Sequence, residues 1–320
     1  MTKQAKDLRI VYMGTPDFAV APLKALVEGG YNVVAVVTTP DKPSGRGLKM
    51  NESAVKRYAQ EVGLPIMQPV KLRDEEFVAA FKALDADLGI VIAFRMLPEI
   101  IWAAPKMGTF NLHASLLPQY RGAAPINRAI MNGETVTGVT TFLLNPQIDE
   151  GAVIGQVKVE IEPCDNVGTL HDKLMNVGVD LVLETVEKLA SGDYTPIEQT
   201  EMIEGELKPA PKIFKEDCHI DFSRSGEEIV NLVRGLSPYP AAWAQLSENL
   251  STKIFEVEFT PKDNGGVEIG TILSDEKKYI KVVCSDGEIE IKDLQISGKK
   301  RMTAEELLRG FRNPTDYRFY

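Results

Sequence analysis

The chain has 320 residues, of which 44% are hydrophobic and 26% are charged, and its formal net charge is −10. This length suits two globular domains rather than one, and no run approaches the roughly 18 apolar residues that a membrane-spanning helix needs. The acidic balance disfavours a nucleic-acid partner unless Lys and Arg cluster locally, and three cysteines without paired spacing disfavour disulfide or zinc frameworks.

The first 160 residues alternate short β-branched runs with amphipathic stretches of helical period. This pattern is typical of an α/β fold with an open, mainly parallel sheet and crossover helices. Strands are predicted at 8–13, 32–38, 65–68, 87–93, 109–114 and 138–144, and helices at 17–28, 52–61, 74–84, 124–132 and 169–190. The N-terminus runs directly into the first strand and lacks a signal-peptide core, so we expect a cytoplasmic protein.

Helical and strand periodicity fades between residues 191 and 212, and the prolines at the end of that segment are typical of an extended connector. We therefore predict a domain boundary there, with domains at 1–207 and 208–320. After it, a helix is predicted at 227–236, and strands at 241–246, 253–259, 267–273, 279–284 and 288–296. Short strands with a helix at each end predict a small closed β-barrel of OB type.

Three polar residues stand out at the ends of neighbouring predicted strands. Asn111 and His113 are two residues apart on one strand, so their side chains point to the same face near its carboxyl end. Asp149 follows the next strand, and its carboxylate could orient the imidazole and favour its charged form. The residues alone leave open a purely structural His113, because a single histidine is more often structural than catalytic.

The segment 111–118 together with 120–126 resembles the signature of folate-dependent formyltransferases. Shorter similarities occur at 14–19, 39–47, 64–69 and 236–243, so the resemblance extends over essentially the whole chain. It implies a Rossmann-like formyltransferase domain followed by an OB-like β-barrel that binds tRNA.

The resemblance also implies an activity. The formyl group of 10-formyltetrahydrofolate would be transferred to the free amino group of initiator methionyl-tRNA, by direct amine attack through a tetrahedral intermediate, for translation initiation. Asn111 and a protonated His113 would stabilise the developing negative charge, and Asp149 would accept the amine proton. Neither a covalent enzyme intermediate nor a metal is expected.

In the resembling family the folate binds at the loop after the fourth long strand, which here is 92–98. The loop is one residue shorter than usual and carries Arg95 where the family has Gly. Glu150 also departs from the family, which has Thr there. The residues expected to bind the formyl donor are Ile92, Ala93, Phe94, Met96, Leu97, Ser115, Leu116, Leu117 and Pro118.

Two groups of basic residues are candidates for tRNA contacts. The loop 40–50 carries Lys42, Arg46 and Lys49, and in the resembling family this loop enters the acceptor stem. Beyond the last predicted strand lie Lys299, Lys300 and Arg301. Both groups would contact phosphates and make binding salt-dependent, although such a run is as often a solvated face.

Three other interpretations remain to be compared. A formyltransferase acting on a ribonucleotide or a sugar nucleotide would share the first domain, but the predicted C-terminal barrel favours the tRNA substrate. A dinucleotide-dependent dehydrogenase would need a glycine-rich turn, whereas the segment after the first strand has the single Gly14. An RNA-binding protein without catalysis would not need the Asn111, His113 and Asp149 set. We expect a monomer.

Overall fold

The computed structural model describes residues 4–44, 49–247 and 250–320, and it describes residues 43, 44 and 49 by their backbone alone. The chain divides into two compact units. The first comprises Met1–Gly122, Thr137–Glu160 and His171–Pro209, and the second comprises Ala123–Val136, Ile161–Leu170 and Ala210–Tyr320. The domain division predicted after residue 207 stays a prediction.

The first unit is built on a seven-stranded sheet. The strands of the N-terminal half of the chain are β1 (Ile10–Gly14), β2 (Val33–Val37), β3 (Lys42–Ser44), β4 (Lys49–Asn51), β5 (Ile66–Met67), β6 (Leu88–Ile92), β7 (Thr109–His113), β8 (Val136–Leu143) and β9 (Val153–Glu160). The helices are α1 (Val20–Glu28), α2 (Ala54–Glu61), α3 (Glu75–Ala83), α4 (Glu99–Trp102), α5 (Pro125–Met131) and α6 (Val167–Ser191). Strands β3 and β4 form a separate antiparallel pair.

The sheet has the strand order β5-β2-β1-β6-β7-β8-β9. Strands β5, β2, β1, β6 and β7 pair in parallel, which confirms the predicted mainly parallel sheet. Every residue of β1 and β6 is buried, as expected for parallel strands covered on both faces. Two crossover helices begin with a side-chain N-cap. Ser53 accepts a hydrogen bond from Lys56 N at the start of α2, and Asp74 accepts one from Phe77 N at the start of α3.

Strand β8 reverses direction and runs antiparallel to β7. In this register His113 lies opposite Thr140, and Phe110 lies opposite Leu143. The end of β8 is therefore beside the beginning of β7, at the opposite end of that strand from His113. Strand β9, which the sequence patterns did not predict, returns from there and forms the edge of the sheet.

The second unit contains the strands β10 (Ala242–Leu246), β11 (Leu250–Pro261), β12 (Ile272–Ser274), β13 (Ile280–Cys284), β14 (Gly287–Ile296) and β15 (Met302–Thr303), and the helices α7 (Gly226–Leu236) and α8 (Ala304–Leu308). Both helices begin with a capping box, Ser225 with Glu228 and Thr303 with Glu306. Helix α5 packs in this unit, where Asn127 Nδ2 donates to Gly235 O at 2.8 Å. The predicted strand at 267–273 was misplaced, since β12 begins only at Ile272.

The prediction that the strands of the second unit close into a barrel was wrong. The antiparallel sheet has the order β10-β11-β14-β13-β12, and no ladder among the described residues joins β10 to β12. Instead the C-terminal segment contacts both edges: Tyr320 exchanges two backbone hydrogen bonds with Gln245, and Phe319 N donates to Gly270 O at 3.0 Å. The unit is thus barrel-like, with a short C-terminal segment standing where a strand pair would close it.

None of the helices in the described part of the chain is long and apolar enough to cross a bilayer.

A buried carboxylate stabilises the sheet of the second unit. Glu288 on β14 is only 5% exposed. It is hydrogen-bonded to Lys262 Nζ, and its Oε2 accepts from Lys281 Nζ at 3.1 Å. The hydrogen bond from Lys262, followed by that from Lys281, outweighs desolvation and lowers the pKa of Glu288 below its usual value.

We expect Glu288→Gln to lower the free energy of unfolding by about 1–3 kcal/mol at pH 7, because the carboxylate that accepts from both lysines becomes a neutral amide. Since the folded pKa is depressed, this contribution is present above the unfolded pKa of about 4.3 and disappears as the pH falls through the folded value. Urea unfolding of both proteins at pH 7 and pH 3 measures it. Glu258→Gln, whose carboxylate pairs with Lys292 on the surface, is the matched control and should cost less than about 1 kcal/mol. An equal destabilisation by Glu288→Gln at both pH values would contradict the electrostatic origin.

Candidate active site

Strand β7 presents the two candidate residues on one face of the sheet. Leu112, between them, points to the opposite face, where it contacts helix α6 at Gly178. Because side chains alternate along a strand, Asn111 and His113 share the face turned away from α6. This placement agrees with the prediction from their spacing.

His113 is 7% exposed, and its Nε2 lies 2.8 Å from the carbonyl oxygen of Tyr120. A carbonyl oxygen only accepts, so the ring nitrogen that faces it carries a hydrogen. The other ring nitrogen then carries a hydrogen only when the imidazole is protonated. His113 can therefore donate to a ligand oxygen from that nitrogen only as a cation.

Asp149 lies in the loop between β8 and β9, with its backbone in the left-handed region at φ 55°. Its Oδ2 accepts a hydrogen bond from Gly122 N at 3.0 Å, rather than from the His113 ring. His113 and Asp149 thus bind opposite ends of the same three-residue segment, 120–122. The structure brings them together through this backbone, which sequence spacing did not predict.

The Asp149 loop leaves β8 beside Phe110 and must fold back to reach Gly122. Gly151 permits this return, because a Cβ there would lie 1.6 Å from Leu143 O. Glu150 next to it is exposed and pairs with Arg121 at 3.2 Å. Its carboxylate is therefore turned toward a cation and toward solvent.

Strand β7 carries a buried side-chain oxygen that no described residue satisfies. Asn111 Oδ1 is buried and has no hydrogen-bond partner within the described ranges. Such an atom is costly unless a ligand donor reaches it, so this face of β7 fits a ligand that carries an N–H group. No set of three or more His, Cys, Asp or Glu in the described residues could hold a metal ion.

The predicted donor loop follows β6. Ala93 is exposed with φ 46°, Phe94 and Leu97 are half-buried, and the Met96 side chain is 73% exposed, while Ile92 is buried at the end of the strand. The loop therefore presents apolar surface that a planar ring could cover.

Arg95 holds this loop against the chain after β5. Its Nη1 donates to Val70 O at 2.9 Å, and its Nη2 donates to Pro69 O. Burial lowers the pKa of the Arg95 guanidinium. The departure from the family pattern at this position thus adds a tether between two loops.

The segment after His113 is mostly internal. Ser115 is fully buried, and its Oγ donates to Gln119 O at 2.7 Å. Leu117 and Pro118 are buried and Leu116 is half-buried. These side chains therefore lie mostly inside the unit rather than on an exposed surface.

The candidate RNA-binding residues differ in their availability. Lys42, Lys299 and Lys300 are exposed. Arg301 pairs with Asp293 at 2.7 Å, and its guanidinium carbon lies 4.1 Å from the centre of the Phe255 ring, so its side chain already has partners within the protein. Arg46 and the side chain of Lys49 lie outside the described residues.

The pair β3 and β4 forms the base of the loop that carries Arg46. Lys56 Nζ contacts Asp41 at 2.5 Å and Glu52 at 2.8 Å, so one ammonium group joins the residues on both sides of the hairpin. The sequence analysis, which treated 40–50 as a loop, did not predict this antiparallel pair.

Sequence reasoning missed the residues that fix the site loops. Thr140 Oγ1 donates to Ser115 O at 2.6 Å, and Gln156 Nε2 donates to Leu117 O at 2.7 Å. Gln199, in a short 3₁₀ segment after α6, bonds to both site loops. Gln199 lies where periodicity had faded, so no pattern could indicate it.

Comparison with protein families gives two matches. The family described as "Formyl transferase" matches residues 8–186, and the one described as "Formyl transferase, C-terminal domain" matches residues 212–312. Together they extend over most of both units.

Among curated proteins, the chain is 56% identical over 318 residues to the methionyl-tRNA formyltransferase of Bacteroides thetaiotaomicron, with 98% of each chain covered. It is 54% identical over 319 residues to the methionyl-tRNA formyltransferase of Parabacteroides distasonis, again with 98% of each covered.

Two solved structures share the fold at low sequence identity. HypX from Aquifex aeolicus in complex with tetrahydrofolic acid has a TM-score of 0.63 at 19% identity, and the alignment covers 94% of this chain. This chain spans 47% of HypX, about half of its length. WlaRD, a sugar 3N-formyl transferase, has a TM-score of 0.64 at 19% identity, with 92% of this chain and 99% of WlaRD covered.

We expect Gly151→Ala to destabilise the first unit by about 1–3 kcal/mol and to displace the Asp149 loop, because the added methyl overlaps Leu143 O. Thermal unfolding and amide hydrogen exchange of residues 144–152 measure the two effects. Gly310→Ala, where nothing lies within 4 Å of the added Cβ, is the control and should leave stability nearly unchanged. Unaltered exchange in the 144–152 loop would show that the close approach does not constrain it.

Proposed function

The chain belongs to the formyl transferase family, and from this membership we propose that it transfers the formyl group of 10-formyltetrahydrofolate to the amino group of initiator methionyl-tRNA, for translation initiation. The observation that carries the proposal is identity above 50% over nearly the full length of relatives with that activity in their names. The acceptor is thereby favoured over a sugar or ribonucleotide amine.

The formyl donor supplies an electrophilic carbon to the site. The apolar residues Ala93, Phe94, Met96 and Leu97 offer the surface that fits its ring, and Ile92 and 115–118 form the wall behind it. The unpartnered Asn111 Oδ1 marks where a ligand N–H would be satisfied. The proposed reaction does not use a metal ion.

The three polar side chains have two different roles in the transfer. The amine nitrogen adds to the formyl carbon and gives a tetrahedral intermediate, which then expels the folate nitrogen. The amine loses one proton and the departing folate nitrogen takes one up, so the protons balance. The Asn111 amide and a protonated His113, oriented by Tyr120 O, donate to the oxygen on which charge develops. Asp149, held by Gly122 N, is the base that accepts the amine proton directly or through water.

The exposed basic residues supply the electrostatic part of tRNA binding. Lys42 on β3 and Lys299 and Lys300 after β14 are exposed and can approach phosphates. We propose phosphate contacts for Arg46 and Lys49 as well, because they lie in the same sequence segment as Lys42. Arg301 contributes to this surface mainly by holding the turn through Asp293 and Phe255. We place the protein in the cytoplasm and propose that it acts as a monomer.

The central test is transfer of labelled formyl from 10-formyltetrahydrofolate to methionyl-tRNA. We expect His113→Ala or Asn111→Ala to lower kcat by about 100-fold or more, because one oxyanion donor is removed, while tRNA affinity stays unchanged. His171→Ala, which alters a half-exposed histidine on α6, is the control. Product formed only on glycinamide ribonucleotide or a sugar-nucleotide amine would replace the acceptor, and no transfer to any of them would reject the function.

Salt dependence tests the RNA-binding residues. We expect the double variant Lys299→Ala/Lys300→Ala to weaken tRNA binding and to reduce the slope of log K against log salt by up to about 2, since each lysine neutralises one phosphate. Lys277→Ala/Lys278→Ala removes two exposed lysines from another turn of the same unit and is the matched control. The same slope in both double variants would remove Lys299 and Lys300 from the interface.

A further inference from the structure

Both the oxygen and the nitrogen of the Gln199 side-chain amide form hydrogen bonds within the first unit. Gln199 is 1% exposed, so this amide is buried. Its Oε1 accepts from Arg121 Nε at 2.9 Å, and its Nε2 donates to the carbonyl oxygens of Asp149 and Gly151, each at 2.9 Å. A glutamine amide has two N–H donors, so both are engaged in the same loop.

The position of Gln199 follows from a short backbone pairing. Ile197 and Val153 exchange two hydrogen bonds as an isolated antiparallel bridge, at 2.8 and 2.9 Å. In antiparallel register a residue two after Ile197 lies opposite the residue two before Val153, which is Gly151. The chain after α6 thus returns beside the beginning of β9 and carries the amide to the Asp149 loop.

The loop that Gln199 holds has an unfavourable backbone conformation. Asp149 has φ 55°, in the left-handed region, where a residue with a side chain is strained. The two hydrogen bonds from Gln199 fix the carbonyl groups on both sides of Glu150. They therefore fix the peptide planes that aim the Asp149 carboxylate at Gly122.

Gln199 also connects this loop to the one after β7. Arg121, which donates to Gln199, lies between Tyr120, the partner of His113, and Gly122, the partner of Asp149. The same guanidinium pairs with Glu150 at 3.2 Å. Gln199 is thus a further connection between the two loops that orient His113 and Asp149, in addition to the Gly122–Asp149 hydrogen bond and the Arg121–Glu150 pair.

We propose that Gln199 is a positioning residue for formyl transfer, which acts through Asp149 without touching either substrate. The proposal rests on the proposed function, since it assigns Gln199 to the geometry of that reaction. It predicts that the contribution of Gln199 to kcat exists only while the Asp149 carboxylate is present.

A double-mutant cycle tests this. Gln199→Glu and Gln199→Met keep the volume of the side chain but remove both donors. We expect each to lower kcat by about 10- to 100-fold, as a displacement of a catalytic group by about 1 Å does, with both KM values within about 2-fold of wild type. In an Asp149→Ala background, measured in single turnovers, the same substitutions should lower the rate by less than about 2-fold.

Gln147→Ala is the matched control, because Gln147 is an exposed glutamine of the same loop, and its kcat should equal that of wild type. Equal losses in both backgrounds, or unchanged kcat in both Gln199 variants, would overturn the proposal. Loss of cooperative thermal unfolding in both variants would also overturn it, since Gln199 would then be a determinant of folding. Absence of formyl transfer in the wild-type protein would reject the proposed function instead, so the two failures are distinguishable.

Discussion

The antiparallel pairing of β8 with β7 is the constraint on which the site depends. In a fully parallel sheet, the loop after β8 would emerge at the carboxyl end of β7, next to His113. Because β8 is reversed, its end lies beside Phe110, and the loop with Asp149 must return to reach Gly122. The close approach of Gly151 to Leu143, the bond from Gly122 to Asp149 and the amide of Gln199 are all consequences of that return.

The polar groups of the site illustrate two ways in which buried hydrogen-bonding atoms are used. His113 has one ring nitrogen fixed on Tyr120 O, which sets the orientation of the ring. Asn111 Oδ1 instead has no partner in the described part of the chain. A protein tolerates such an atom where a substrate supplies the missing hydrogen bond. A molecule without that donor would leave the buried oxygen unpaired, so the site selects against it.

The acidic composition and the tRNA substrate are compatible because charge acts locally. Salt screens exposed charges beyond about 10 Å, so a net charge of −10 does not prevent exposed lysines from binding phosphates. Within the second unit, cations have two separate uses. Lys262 and Lys281 neutralise the buried Glu288, whereas Lys299 and Lys300 remain at the surface.

The sequence by itself determined the parallel strands, their crossover helices, the shared face of Asn111 and His113, and the family, because these follow from local periodicity and a contiguous motif. It did not determine β9, the C-terminal segment that contacts both edges of the second sheet, the pairing of β3 with β4 or the place of Gln199. Those depend on backbone hydrogen bonds between residues far apart in the chain, such as Ile197 with Val153 and Tyr320 with Gln245. A backbone amide is the same in every residue except proline, so its partner leaves no mark in the sequence and is decided only when the chain is packed.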